Sequence, residues 1–129
     1  MASILKVDEL QGIATTGDIT VTSEGGAATQ SLQQGLAKAW CHTSDDVIDD
    51  SLNFSSSTDN GTGDYTVNFT NSMANVTYAS TASPCEGGFR FIMIYSARTS
   101  TNGHGLYIGT SGSVANDHNV MAQTHGDLV

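Results

Sequence analysis

The sequence predicts an all-β protein, an antiparallel β-sandwich of jelly-roll-like character with a short N-terminal β arm. Three observations predict this class. Apolar and polar residues alternate in most segments after residue 37, as they do in strands with one buried face. Short clusters of Gly, Asn, Asp and Ser separate these segments, as turns do. Charged residues are only 13% of the chain while small polar residues abound, which suits an ordered β-rich protein.

Residues 1–36 are predicted to be an arm and link without a core of their own. Their apolar alternations are too short to bury themselves, so the arm must pack against another surface. The Gly-rich residues 24–29 predict a flexible break, and residues 30–36 predict one helical turn or an irregular link. Residues 37–129 would then form the β-sandwich head. The candidate attachment residues of the arm are Ile4, Leu5, Val7 and Leu10.

The head is predicted to be nearly all strand. Two alternating segments, residues 47–56 and 64–70, are predicted to pair as a hairpin across an Asp-, Asn- and Gly-rich loop. Residues 89–97 predict the strongest strand, at the centre of a sheet or at an interface, because both of its faces are apolar. The other strands are predicted at residues 37–43, 76–80, 106–109 and 119–125.

Alternation also assigns side chains to faces. Leu52 and Phe54 are two residues apart, so we expect them on one buried face of the hairpin. Trp40 is expected in the core, the usual place for an aromatic residue on a strand. Phe91 is expected in the core as well, where its replacement by Ala would cost about 3–5 kcal/mol. In the strand predicted at residues 89–97, alternation places four residues on the face of Phe91, which are Phe89, Phe91, Met93 and Tyr95.

The charge of the chain excludes two classes of partner. The sequence has 13 acidic and four cationic residues, for a formal net charge of −9. Nucleic-acid binding depends on Lys and Arg that neutralise phosphates, and an anionic membrane attracts the same residues. We therefore expect neither nucleic acid nor a membrane surface as a partner. No apolar run approaches the roughly 20 residues of a membrane-spanning helix.

The beginning of the chain bears on the compartment. Acidic residues stand where a secretory signal peptide has its apolar core, so we expect synthesis in a cytoplasm without export by that route. Cys41 and Cys85 are then expected to be reduced thiols. A disulfide is the less favoured alternative, since a particle released from a cell meets oxidising conditions.

Four segments carry a resemblance to a known family. They are residues 4–10 (ILKVDEL), 32–40 (LQQGLAKAW), 50–69 and 126–128 (GDL). The strings GLAKAW and TDNGTGDYTVNF are specific when they occur together, whereas the arm and the ending alone would be weak matches. Together the segments resemble the small tail-fibre-like virion proteins of marine tailed bacteriophages, and the resemblance spans most of the chain.

The resemblance implies a non-enzymatic, trimeric structural protein, made in the host bacterial cytoplasm and located in the virion. It would be a short tail fibre or spike, with sister chains, other virion proteins and a host-surface glycan as partners. The short chain leaves little room for a fibre shaft, so a head fibre or capsid decoration protein fits its length as well. A free carbohydrate-binding module is the alternative from another class. An enzyme such as a depolymerase ranks last, because the acids sit mostly in edges and turns.

The acidic residues offer candidate ion sites. The densest cluster consists of Asp45, Asp46, Asp49 and Asp50. Oxygen-rich loops bind Ca²⁺, but this cluster lacks the ligand spacing of a dedicated loop, so a solvated strand edge is favoured over a structural Ca²⁺. The loop at residues 59–64 is explained better as a turn, because Asn and Gly tolerate positive φ. We expect no cofactor.

The predicted binding surface is the loop at residues 100–104, because loops on a rigid scaffold often carry binding. Its candidate residues are Asn102, His104 and Tyr107. The remaining histidines, His42, His118 and His125, show no metal-site spacing. Cys41 and His42 are not a catalytic pair, because neighbours on a strand point to opposite faces.

Overall fold

A computed structural model describes residues 4–11, 19–23, 25–26, 28–85, 90–110, 117 and 119–129, with the backbone alone at 95–98 and 110. The protein is all-β with antiparallel sheets, which confirms the predicted class at that level. It consists of two compact units, Met1–Leu36 and Ala37–Val129. Within the described parts of the chain, no helix is long and apolar enough to cross a membrane.

The first unit contains a small hairpin and one helical turn. Strands β1 (Thr20–Thr22) and β2 (Thr29–Ser31) pair antiparallel. Helix α1 (Leu32–Gly35) follows directly, and the Ser31 hydroxyl caps it by accepting a hydrogen bond from the Gln34 amide. Of the two alternatives predicted for residues 30–36, a helical turn or an irregular link, the structure shows the helical turn. The expected break between the strands is instead the connection of a hairpin, where the Ser23 amide donates to the Ala28 carbonyl at 2.7 Å.

Eight strands form two four-stranded sheets in the second unit. The strands are β3 (Ala39–Ser44), β4 (Val47–Leu52), β5 (Phe54–Gly61), β6 (Asp64–Phe69), β7 (Ala79–Pro84), β8 (Arg90–Ser100), β9 (Gly103–Thr110) and β10 (Val120–His125). Sheet I has the order β4-β3-β10-β7, and sheet II has the order β5-β6-β9-β8. Every neighbouring pair is antiparallel.

Both sheets contribute to a single hydrophobic core. Sheet I supplies small or medium side chains, and sheet II supplies most of the large ones. The Phe54 and Phe69 rings stack with centroids 4.9 Å apart. The core residues are Ala39, Cys41, Phe54, Tyr65, Val67, Phe69, Met73, Leu106, Ile108, Val120 and Ala122.

The predicted hairpin is only half correct. Asn53 adopts a φ of 58°, and the chain passes there from sheet I to sheet II. Leu52 therefore ends β4 with its side chain 48% exposed, whereas Phe54 begins β5 and is buried. The expectation that these two share a face is wrong, because it assumed one continuous strand. Strands β5 and β6 do pair as a hairpin, and the inward face of β6 is buried as predicted.

Two aromatic residues predicted for the core lie on outer faces. Trp40 is 39% exposed, because the alternate residues of β3 take the inward face. Phe91 is 41% exposed and lies over Gly109, while Ile92 and Ile94 pack against the core. Strand β8 is at the edge of sheet II, so the central position, one of its two predicted placements, is wrong, and the position at an interface stays a prediction. Phe89 and the side chain of Tyr95 lie outside the described residues.

Candidate functional site

The outer face of sheet I carries a shallow depression of about 400 Å³. Three strands form it, because alternate residues of β3, β10 and β7 point to the same side of the sheet. The strand register sets these side chains in two rows. One row is Trp40, Gln123 and Thr81; the other is His42, Met121 and Ser83. The floor is made by Cys41, Ala82 and Ala122.

The depression combines an exposed apolar surface with polar neighbours. Trp40 is 39% exposed and Met121 is 51% exposed, although both are large apolar side chains. Leu52 continues the apolar surface beside Trp40, with which it is in register. Trp and Met are enriched where proteins bind partners, so this surface is a stronger candidate than the exposed loop predicted from the sequence.

His42 is fixed at one side of the depression. The register of β3 and β4 shifts after His42, which leaves Asp49 as the extra residue of the irregularity. His42 Nδ1 lies 2.8 Å from Asp49 Oδ2, and the Ser44 hydroxyl donates to the same oxygen at 2.5 Å. The hydrogen bond from Ser44, and then that from His42, lower the pKa of Asp49. The carboxylate thereby orients the imidazole.

The cysteines give no reactive centre at this surface. Cys41 points into the core, and desolvation by burial raises the pKa of its thiol to about 11. The nucleophilic thiolate is therefore disfavoured at neutral pH. Cys85 is exposed after the end of β7, and the structure has no disulfide between it and Cys41.

The three residues predicted at the exposed loop do not form one site. Asn102 is exposed in the turn between β8 and β9, where its side-chain oxygen accepts a hydrogen bond from Ser72 at 2.7 Å. Tyr107 is half-buried on the outer face of sheet II, in register with Met93 and Asp64. His104 is fully buried, so its placement at an exposed tip is wrong.

His104 sits among aromatic rings in the core. The rings of Phe54, Phe69 and Tyr78 have centroids between 5.6 and 6.1 Å from that of its imidazole. Neither ring nitrogen has a hydrogen-bond partner among the described residues. Desolvation by burial lowers the pKa of His104 to about 4, so the ring is neutral at pH 7. Sequence periodicity carried a signal for this burial, since His104 alternates with Leu106 and Ile108.

The predicted acidic cluster is divided between two places. Asp49 pairs with His42, and Asp50 is opposite His42 in the register of sheet I. Asp45 and Asp46 instead line a second depression, of about 450 Å³, together with Asp59, Tyr65 and Asp117. In the described parts of the chain, no group of three or more His, Cys, Asp or Glu side chains is arranged to hold a metal ion.

Within the segment predicted to be a turn, residues 59–64, the structure places the turn at Thr62 and Gly63, while residues 59–61 extend β5 and Asp64 begins β6. Gly61 and Gly63 adopt φ values of 131° and 71°, which favour glycine. The Asp59 carboxylate accepts a hydrogen bond from the Gly61 amide at 2.7 Å. His42, His104 and His125 lie on different strands, with His104 in the core and His42 on an outer face; His118 lies outside the described residues.

The arm of the first unit exposes its apolar side chains. The exposed fractions are 80% for Ile4, 79% for Leu5, 54% for Val7 and 53% for Leu10. Residues 4–11 belong to no strand or helix of the structure. Protein-family models, curated proteins and solved structures gave no match to this chain.

Proposed function

We propose that this chain is a structural protein of a tailed-bacteriophage virion, a short trimeric tail-fibre or spike component that contacts the host surface. The observation that carries the proposal is the arm, whose four large apolar residues are all more than half exposed in the single chain. Such a segment gains stability by packing against sister chains or other virion proteins. The segments GLAKAW and TDNGTGDYTVNF, which resemble those of small virion proteins, support the same reading.

The proposed head is a β-sandwich with jelly-roll-like connections. Supporting this, both sheets contribute side chains to one core. The chain also changes sheets repeatedly: β3 and β4 lie in sheet I, β5 and β6 in sheet II, and β7 again in sheet I. The last strand, β10, returns to lie between β3 and β7, so the ends of the unit meet in the middle of sheet I.

The proposed oligomer is a homotrimer, as the resemblance to small tail-fibre-like virion proteins implies, and three chains around one axis form a closed cyclic assembly. Full burial of one large apolar side chain stabilises association by about 1.5–3 kcal/mol, so the arm residues of three chains provide a substantial driving force. The exposed Phe91 and Met93 on the edge strand β8 offer a second surface for sister chains.

The placement on the particle has two candidates. A tail fibre or spike is the leading one, and a head fibre or capsid decoration protein is the other. The copy number per particle separates them. Hundreds of copies indicate the capsid, whereas a few tens or fewer indicate the tail.

Sedimentation of the full chain tests the oligomer. We expect a trimer at micromolar concentration, and a shift towards monomer when Ile4, Leu5, Val7 and Leu10 are all replaced by Ser. Val129→Ser is the matched control, because Val129 is 93% exposed and lies outside the arm. A monomer in the unaltered protein would contradict the trimer.

A further inference from the structure

We propose that the depression on the outer face of sheet I binds a neutral saccharide, with one sugar ring stacked on Trp40. The inference names the ligand of the proposed host contact, and it rests on the proposed function only for its biological role. The binding itself is a property of the folded second unit and can be measured without a virion.

The shape and the lining fit a sugar ring. The volume of about 400 Å³ is within the range of small-ligand sites, although the site is open. A pyranose presents C–H groups on its faces, which pack on an aromatic ring, and hydroxyl groups around its rim. Trp40 offers an exposed ring for that face, and Met121 lies in the adjacent row to extend the apolar contact.

Polar side chains lie beside Trp40 and Met121 on the same face of the sheet. Gln123 and Thr81 follow Trp40 in one row, at the strand spacing of about 4.8 Å. His42 and Ser83 flank Met121 in the other row. An amide, two hydroxyls and an imidazole supply both donors and acceptors, as a sugar hydroxyl requires.

The charges favour an uncharged ligand. None of the described residues that line the depression is Lys, Arg, Asp or Glu. His42, at one side of the depression, is paired with Asp49. The chain carries a net charge of −9, which repels phosphorylated, sulfated and carboxylated glycans. A neutral oligosaccharide is not subject to this repulsion.

Binding at this site can be followed by intrinsic tryptophan fluorescence, because Trp40 is the one tryptophan of the chain. Intrinsic fluorescence of the full chain is recorded while chitohexaose, laminarihexaose or mannohexaose is added up to tens of millimolar. We expect a saturable blue shift with at least one of these neutral probes. Oligogalacturonate, an anionic probe of similar length, is expected to give a smaller change at equal concentration.

Variants locate the contact. Isothermal calorimetry with the active probe is expected to show a loss of affinity of about tenfold or more for Trp40→Ala, because a stacked aromatic residue is the typical centre of a binding surface. Gln123→Ala is expected to weaken binding by a smaller factor. Val76→Ala is the control, since it removes an exposed apolar side chain that lies outside the depression and outside the surfaces proposed for contact between copies. It should bind as the unaltered protein does.

Three results would overturn the proposal. One is the absence of a saturable shift with all three neutral probes. Another is undiminished binding by Trp40→Ala when its folding is intact by circular dichroism. The third is Trp40 emission that is blue-shifted without ligand and moves to the red on dilution, which would show that a second copy covers the face. None of these bears on whether the chain is present in virions, so the two proposals fail separately.

Discussion

The hydroxyl of Tyr65 donates a hydrogen bond to the carboxylate of Asp117 at 2.5 Å. The same carboxylate oxygen accepts the Gly63 amide at 2.7 Å. Asp117 thus connects the segment before β10 to β6 and to the turn that precedes β6. Desolvation, followed by the hydrogen bond to Asp117, raises the pKa of Tyr65, so the phenol stays protonated and keeps donating across the whole physiological range.

Replacing Tyr65 by Phe tests this connection. The variant keeps the buried ring and loses one hydrogen bond to a charged group, so we expect the free energy of unfolding to fall by about 1–2 kcal/mol. Urea unfolding followed by circular dichroism measures it. Tyr78→Phe is the control, because it also removes a tyrosine hydroxyl. The Tyr78 hydroxyl donates to the backbone oxygens of Ser100 and Gly103, which carry no charge. Equal stability of Tyr65→Phe and the parent protein would contradict a structural role for Asp117.

His104 should make the protein sensitive to acid. Its pKa is about 4 in the folded chain against 6.5 for an ordinary His, so the unfolded chain binds the proton first. The contribution of the neutral His104 ring to the free energy of unfolding is fully present above pH 6.5. It is lost as the pH falls from 6.5 towards 4. This difference corresponds to a loss of about 3 kcal/mol.

The variant His104→Phe isolates that effect, since aspartates also titrate in acid. We expect the difference in unfolding free energy between the variant and the parent protein to shift in favour of the variant as the pH falls from 7 to about 4. Chemical denaturation at a series of pH values measures the difference. A difference that stays constant with pH would show that His104 is solvated or hydrogen-bonded in solution.

The two phenylalanines Phe91 and Phe69 should respond differently to truncation. Phe69 is buried and stacks on Phe54, so Phe69→Ala is expected to cost about 3–5 kcal/mol. Phe91 is 41% exposed, so Phe91→Ala is expected to cost only about 1 kcal/mol in the isolated chain. Thermal melts of both variants decide this. A larger loss for Phe91→Ala at concentrations where the chain is oligomeric would place its ring at an interface between copies.

Gly103 should not tolerate a side chain. A Cβ there would lie 2.4 Å from the Val67 carbonyl oxygen, which belongs to the neighbouring strand and cannot move aside freely. Gly103→Ala is therefore expected to lower the free energy of unfolding by at least about 1–3 kcal/mol. Gly25→Ala is the control, because nothing lies within 4 Å of its added methyl group. Similar melting temperatures for the two variants would contradict the close packing of β6 against β9.

Much of the fold was predictable where local periodicity sufficed. The inward face of β6, with Tyr65, Val67 and Phe69, follows directly from alternation. The helical turn at Leu32–Gly35 is one of the two alternatives that the Leu spacing allowed. In β3, however, alternation defines two faces without saying which is buried. The inner face holds the small residues Ala39, Cys41 and Thr43, because large side chains of sheet II fill the space opposite them.

The candidate site depended on relationships that no local pattern contains. Trp40 and Met121 come together because β10 pairs with β3, although the two strands are far apart in the sequence. The change of sheet at Asn53 depends on one residue with positive φ, which an apparently continuous strand pattern conceals. The predicted loop site failed at His104 because a histidine in an alternating segment can be buried when the surrounding core is aromatic.

Quantitative mass spectrometry of gradient-purified particles, from a bacteriophage whose genome contains the gene for this chain, tests the proposed virion role most directly. We expect the chain to copurify with intact particles, in a copy number divisible by three. A few tens of copies or fewer would place it in the tail, and hundreds would place it on the capsid. Its absence from the particles, with the protein left entirely in the unassembled fraction of the lysate, would contradict the role of a virion structural protein.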